Sequence, residues 1–278
     1  MCGFIGHISI NEIDKSKLYH SNRHTECRGP DDFKHIKSIL KIKSNDKLYL
    51  NFLFNRLAIV DLTKSASQPM KDDKGNTILF NGEIFNHRQL KKELVEKGVK
   101  FYSNHSDTEV ILNGLTHEGL SFINKVIGQF SVAYLDINQK KIHLIRDRLG
   151  QKPMFYYSSK ETLVFGSNLK SLAGLVKDRK ISDSALSEYL STGVVSAPNT
   201  IFNDFYKLIP GEILTFDLDD NFNIYRKTKY WDIDSFISNK PFSEEEFFKL
   251  LEDSVVKRLE SDVGLATLLS GGIDSSSI

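Results

Sequence analysis

Short β-rich apolar runs alternate with helical stretches through the first 216 residues, without repeats or low-complexity segments. Strands are predicted over residues 4–10, 78–81, 130–136, 141–146, 154–157, 163–165 and 212–216, several of them separated by turn residues at hairpin distance. Helices are predicted over 87–97, closed by Gly98, and over 107–117, where Ser106 is placed to cap the first turn and Gly119 follows the last. A third is predicted over 183–191 after Ser182, and Pro198 and Pro210 then punctuate a loop-rich passage. So many strands among amphipathic helices point to one unit with much antiparallel sheet, in which two sheets pack face to face and which closes near Trp231.

The pattern changes at Ser243. A helix with Glu244, Glu245 and Glu246 in its first turn and Lys257 and Arg258 near its end leads to an apolar run at 263–269, predicted as a strand, and then to Ser270-Gly-Gly-Ile-Asp-Ser275. Such a strand ordinarily lies inside a parallel sheet covered by helices, and the chain offers it neither neighbouring strands nor a helix after the loop. The expected division is a first unit over 2–216, closing strands and linker over 217–242, and the beginning of a second unit over 243–278. Residues beyond about Lys240 are expected to be flexible or to pack on the first unit.

Composition narrows the partners. The 37 basic and 36 acidic side chains are interspersed and nearly cancel, so no electrostatic footprint for nucleic acid or an anionic membrane appears and small molecules are the expected partners. With only Cys2 and Cys27 there is no disulfide framework, which suits a reducing compartment. The apolar start lacks a positive n-region and a cleavage site, and no run approaches the ~20 residues of a membrane helix, so a cytoplasmic location is expected. No Cys-x-x-Cys or His-Glu-x-x-His spacing occurs, and no structural metal is expected. Cys27 near His24 and His105 before Asp107 have no spacing that specifies a catalytic triad.

Candidate chemistry begins at the second residue. Removal of Met1, which a small following side chain permits, would leave Cys2 with a thiol and a free α-amine. The amine has an ordinary pKa of ~7.7–8.0 and the thiol one of ~8.5, so one residue can supply both nucleophile and base. Taken alone, a cysteine at position two is better read as a small buried hydrophobe. Gly3, which lets the backbone bend closely around a substrate, and the strand behind it, which fixes the terminus, favour the chemical reading.

Downstream stand Arg28-Gly-Pro-Asp31, Arg56-Leu-Ala-Ile-Val-Asp61, Gln68-Pro-Met70, Asn81-Gly-Glu-Ile-Phe-Asn86, Ser106-Asp-Thr-Glu109 and Arg146-Asp-Arg-Leu-Gly-Gln-Lys-Pro153. With Met-Cys-Gly at the start, their order and spacing resemble the class II glutamine amidotransferase domain of glutamine-hydrolysing asparagine synthetases. The match runs on through Ser275 and covers essentially the whole chain. The resemblance implies an α+β fold of the N-terminal nucleophile hydrolase type, a four-layer αββα sandwich, followed by a truncated fragment of an α/β ATP-pyrophosphatase domain.

It also implies roles. Arg56 would hold the glutamine α-carboxylate through paired charge-assisted hydrogen bonds, with the backbone of Leu57, Ala58, Ile59 and Val60 lining the same pocket. Asp107 would accept from the α-ammonium, with Glu83 as a second acceptor. The Asn81 amide and the Gly82 N–H would form the oxyanion hole for attack by Cys2, giving a γ-glutamyl thioester that water hydrolyses to glutamate, with the α-amine as proton shuttle. Each residue has a plainer reading, Asn-Gly as a turn, Asp107 as a helix cap and Arg56 as a solvated charge; the ordered set argues against coincidence.

Leu269, Ser270, Gly271, Gly272, Asp274 and Ser275 resemble a pyrophosphate-binding loop, which implies ATP and Mg2+. In the family, that domain adenylates aspartate, and ammonia from the first domain converts the adduct to asparagine. Three positions depart from the family pattern: Cys27 and Phe54, where histidine is common, and Asn168, where glutamate is common. None is a direct catalytic group. An acceptor such as a sugar uronic acid, a non-catalytic assembly module, and a homodimer stay open as alternatives.

Overall fold

The computed structural model describes residues 2–43, 46–237 and 241–278. The strands are β1 (Gly3–Ser9), β2 (Asp32–Lys41), β3 (Lys47–Arg56), β4 (Met70–Lys71), β5 (Thr77–Ile84) and β6 (Gly128–Asp136), then β7 (Lys141–Arg146), β8 (Phe155–Ser158), β9 (Thr162–Gly166), β10 (Phe205–Lys207), β11 (Glu212–Asp217) and β12 (Asn223–Lys229). The helices are α1 (Lys15–Glu26), α2 (His87–Glu96), α3 (Asp107–Glu118), α4 (Leu169–Leu175), α5 (Asp183–Thr192), α6 (Glu244–Lys257) and α7 (Ile273–Ser277). No helix among the described residues is long and apolar enough to cross a membrane.

Two six-stranded sheets form, in the orders β10-β8-β9-β1-β3-β2 and β12-β11-β7-β6-β5-β4, with antiparallel pairing throughout. Strand periodicity decides which side chains go where. Phe4 and Ile8 of β1 enter the core between the sheets, where they join Leu79, Leu144 and Phe216, while Ile5 turns to the outer face. The neighbours Phe80, Val132 and Ile145 face the other way, against Leu90, Leu94 and Ile111 of α2 and α3. Leu18 of α1 and Leu172 of α4 cover Ile5, Leu53 and Val164 on the first sheet. Helix, sheet, sheet, helix is therefore the layering, as the resemblance implies.

Every strand predicted up to residue 216 is present, and the helices begin where predicted. Gly98 and Gly193 follow α2 and α5 in the left-handed region, at φ +84° and +75°. Ser182 caps α5 by accepting from Ala185 N at 3.3 Å. Ser106 holds the N-cap position of α3 but makes no side-chain cap. Glu109 supplies the reach-back instead, accepting from Tyr102 N and Ser103 N at 2.7 and 2.8 Å.

Beyond α6 the expectation needs correction. Residues 263–269 form no strand, because no strand among the described residues offers them a ladder, and Leu268 and Leu269 are exposed. The loop that follows does lead into a helix, the single-turn α7. The stretch just after α6 packs on the first unit: the Arg258 guanidinium lies 4.6 Å from the Phe85 ring centroid, and Arg88 Nε donates to Glu260 at 2.6 Å. Lys240 itself lies outside the described residues.

Candidate active site

Pairing of β1 with β3 sets Gly3 opposite Asn55, which brings Cys2 beside the chain as it leaves β3. Leu57 N donates to Cys2 Sγ at 3.4 Å, and Sγ lies 3.6 Å from Leu57 O. Arg28 Nε donates to Cys2 O at 3.1 Å and fixes the terminus from the α1 side. Gly3 eases that approach: a Cβ there would stand 3.1 Å from Thr25 O and 3.2 Å from Arg28 Cδ, tighter than side chains usually allow. Burial pushes the thiol pKa up, with the Leu57 hydrogen bond opposing it. A buried thiol of this kind needs a base. The α-amine expected to serve depends on Met1, which lies outside the described residues.

Cys2 opens into a cavity of about 600 Å³, part of it solvent, lined also by Arg56, Leu57, Ile59, Val60, Asn81, Gly82, Glu83 and Asp107. Ala58 does not line it. Its N–H points away and donates to Asp31 Oδ2 at 2.7 Å, so the residue anchors the loop rather than the pocket.

Asn81 is fully buried, and neither its amide nitrogen nor its oxygen has a hydrogen-bond partner among the described residues. Such a group costs about 1–3 kcal/mol. Gly82 beside it is required sterically, because a Cβ would meet Gln129 O at 2.1 Å and Phe130 Cα at 2.7 Å on β6.

Arg56, only 8% exposed, donates through Nη1 to Thr63 O at 2.9 Å and through Nη2 to Asp61 O. Those two bonds wrap the loop around the guanidinium and leave further N–H groups for a carboxylate. Asp107, the first residue of α3, accepts from Ile84 N at 3.1 Å, which ties it to the end of β5. Burial pushes its carboxyl up to about 6, with His87 pulling it back. Glu83 accepts from Gln129 Nε2 at 3.3 Å. The cavity wall thus holds a guanidinium and two carboxyl groups, with a thiol and a buried amide alongside.

Three participants had no assigned role in the motifs. Lys152, 7% exposed, lines the cavity and has its pKa drawn down by burial. It is placed by Asp147, whose carboxylate accepts from Leu149, Gln151, Phe130 and Lys152 N–H groups at 2.9 to 3.2 Å. Gln68 ties the loop to β5 and α3, accepting from Phe80 N at 2.6 Å and donating to Phe80 O and Thr108 Oγ1, each at 3.1 Å. Arg28 is the third. All three lie inside quoted motifs, which is the signal that could have found them. The family departures touch no cavity wall: Phe54 is in the inter-sheet core, Asn168 caps α4 and Cys27 is exposed.

Leu269, Ser270, Gly271, Gly272, Asp274 and Ser275 are not brought to this cavity. They form an exposed turn in which the Ser270 and Ser275 hydroxyls lie 2.8 Å apart, and Gly272 N donates to Ser270 Oγ at 3.3 Å. Gly271 sits at φ +79°, where glycine is favoured.

Residues 1–231 match the family model for a glutamine amidotransferase domain. The chain belongs to the glutamine amidotransferase family. Residues 246–278 match the asparagine synthase model. Among curated relatives of this amidotransferase, asparagine synthetase [glutamine-hydrolyzing] 2 of Bacillus subtilis is 33% identical over 90% of the chain and 34% of its own length. A putative asparagine synthetase [glutamine-hydrolyzing] 2 of Methanocaldococcus jannaschii is 32% identical over all of the chain and 56% of its own length. The amidotransferase therefore spans about a third to just over half of these relatives. The fold is shared with glutamine phosphoribosylpyrophosphate amidotransferase from B. subtilis, at a TM-score of 0.57 and 15% identity, over 83% of this chain and 49% of that one.

Proposed function

We propose that the chain hydrolyses glutamine to glutamate and ammonia through a thioester on Cys2, and that the ammonia serves ATP-dependent amidation of aspartate to asparagine in the complete protein. The observation that carries the first half is the fully buried, unpartnered Asn81 amide in the same cavity as the Cys2 thiol. A folded protein seldom leaves such a group orphaned without a use for it. Arg56 would take the substrate carboxylate and Asp107 with Glu83 its ammonium, fixing the side-chain amide near Sγ. As Sγ attacks, the carbonyl oxygen gains charge and is met by Asn81 and the Gly82 N–H; the α-amine of mature Cys2 takes the thiol proton and returns it to the leaving ammonia. Water then cleaves the thioester by the reverse use of the same groups. Cys2 and Asn81 would be needless in a non-catalytic assembly module.

For the second half, the relatives bear the name of asparagine synthetases. The turn at 270–275 carries hydroxyl and backbone donors of the kind a polyphosphate takes, so Ser270, Gly271, Gly272 and Ser275 would hold the phosphates of ATP with its Mg2+. Bound ATP would supply adenylation of the acceptor carboxylate. On this reading the glutaminase unit would take 2–216, the closing strands and linker 217–242, and the start of the synthetase unit 243–278.

Incubation of the purified protein with glutamine should release glutamate and ammonia in equal amounts without ATP, and intact mass should show Met1 removed. Protein that lacks Met1 and still leaves glutamine untouched would overturn the reading.

A pH dependence follows from Asp107. Its carboxyl is raised to about 6, so it is neutral below that pH and ionised above it, and only the ionised form balances the substrate ammonium. The kcat/KM for glutamine is expected to fall by a further tenfold per pH unit below ~6, on top of the shallower limb set by the α-amine, whereas Asp107→Asn should be low throughout and lack that steepening. A wild-type profile flat from pH 5 to 7 would contradict it.

A further inference from the structure

The loop that lines the glutamine cavity has no regular secondary structure from Leu57 to Leu62, and Asp61 within it sits at φ +52°, a conformation that costs a non-glycine residue free energy. Something must hold it. Arg56 does so from inside, and Asp61 carboxylate oxygens accept from Thr63 N at 3.2 Å and from His105 N at 3.0 Å. The remaining ties come from far along the chain. Asp262 N donates to Ile59 O at 2.9 Å, Asp61 N donates to Asp262 Oδ2 at 2.7 Å, and His105 Nε2 lies 2.6 Å from the same oxygen. Glu260 makes a second contact alongside, 2.6 Å from Arg88 Nε and 3.4 Å from His87 Nε2.

We infer that Asp262 is a positioning residue for the glutamine pocket, a clamp that joins the loop at Ile59 and Asp61 to the turn at His105, which leads directly into Asp107. The inference rests on the glutaminase reading. One carboxylate thereby bridges two segments that line the cavity, the loop tied to Arg56 and the turn that leads into Asp107. Desolvation opposes its ionised form, but the bonds from His105 and Asp61 N–H outweigh that and hold its carboxyl below the ordinary range. Asp262 lies within the 246–278 stretch that matches the asparagine synthase model, so the pocket of the first unit borrows its clamp from the second. A loop held in its bound shape has less entropy to lose when glutamine arrives, so the clamp acts on binding rather than on the chemical step.

Glutamine binding to Cys2→Ala protein, which cannot react, can be compared by calorimetry with Cys2→Ala/Asp262→Ala and Cys2→Ala/Asp262→Asn. The same Asp262 changes in the active protein give KM and kcat. Expected are a rise in Kd and KM of about tenfold for Asp262→Ala, a smaller rise for Asp262→Asn, and kcat within threefold of wild type. His105→Ala should raise KM in the same direction and add little on top of Asp262→Ala, because both break one contact. Unchanged Kd and KM in the two folded Asp262 variants would overturn the inference, and so would a fall in kcat with KM unmoved. No glutamine binding by Cys2→Ala alone would instead overturn the glutaminase reading.

Discussion

Glutamine hydrolysis is expected to fall by a factor on the order of 10⁴ or more in Cys2→Ala, since removal of a catalytic nucleophile leaves only what binding and the oxyanion donors supply. Alanine is small enough for Met1 still to be removed, so the α-amine remains and the loss isolates the thiol. Structure gives little reason for collateral damage. Cys2 is half-buried at the edge of the inter-sheet core, and among the described residues its sulfur is hydrogen-bonded to the Leu57 backbone. The wild-type thiol is held in its neutral form by burial, so the amine must act as base before attack. Retaining Met1 with Cys2 unchanged, for instance by producing the protein while methionine aminopeptidase is inhibited, should therefore also silence the protein with the native fold intact. Glutamate release and trapping of a γ-glutamyl adduct by mass are the measurements. Near wild-type turnover in Cys2→Ala would place the chemistry on another residue.

How far the chain could be read depended on what each element buries. β1, β5, β6, β7 and β11 are apolar on both faces or nearly so, because each sheet is covered on both sides, and their runs stand out. α1 went unpredicted because the face it buries is largely polar. Leu18 is accompanied by Ser21, Asn22 and Thr25, and Asn55 on β3 donates to Asn22 Oδ1 at 2.8 Å and Thr25 Oγ1 at 3.0 Å. A helix held by a buried amide network has no apolar stripe to find. β2 carries lysines along an exposed strand and β12 is exposed at nearly every position, so both are specified by their neighbours in the sheet. The opposite error arose at 263–269, where an apolar run suited to a covered strand meets no partner.

The cavity was legible where a motif names an atom that substrate would touch. Lys152 and Gln68 also line it but were given no role: Lys152 is placed by the Asp147 turn, and Gln68 by Phe80 on β5, a contact across the fold that the chain does not spell out. Ala58 illustrates the converse, a motif member whose backbone turns away to Asp31. Asp262 had no signal at all, since its partners Ile59, Asp61 and His105 lie in another part of the chain.

Asn81→Ala is expected to lower kcat for glutamine by about 10²–10³, the cost of one oxyanion donor, or roughly 2.7–4 kcal/mol, with KM changed much less. The donor acts on charge that exists only once Sγ has attacked, so substrate binding through Arg56 and Asp107 should survive. Stability should move the other way or not at all. Asn81 is completely buried and neither amide atom bonds to another described residue, so truncation removes a polar group whose burial without a protein partner costs about 1–3 kcal/mol, against the small cavity it leaves. A melting temperature equal to or above that of wild type, together with a hundredfold or greater loss of kcat, is the signature of a group kept for its chemistry. Asn81→Asp should be worse than alanine in turnover, because a carboxylate would repel the developing oxyanion. If Asn81→Ala instead unfolds at lower temperature and keeps its kcat, the amide is a structural group and the oxyanion must be met elsewhere, with Lys152 the next cationic side chain on the cavity wall to test.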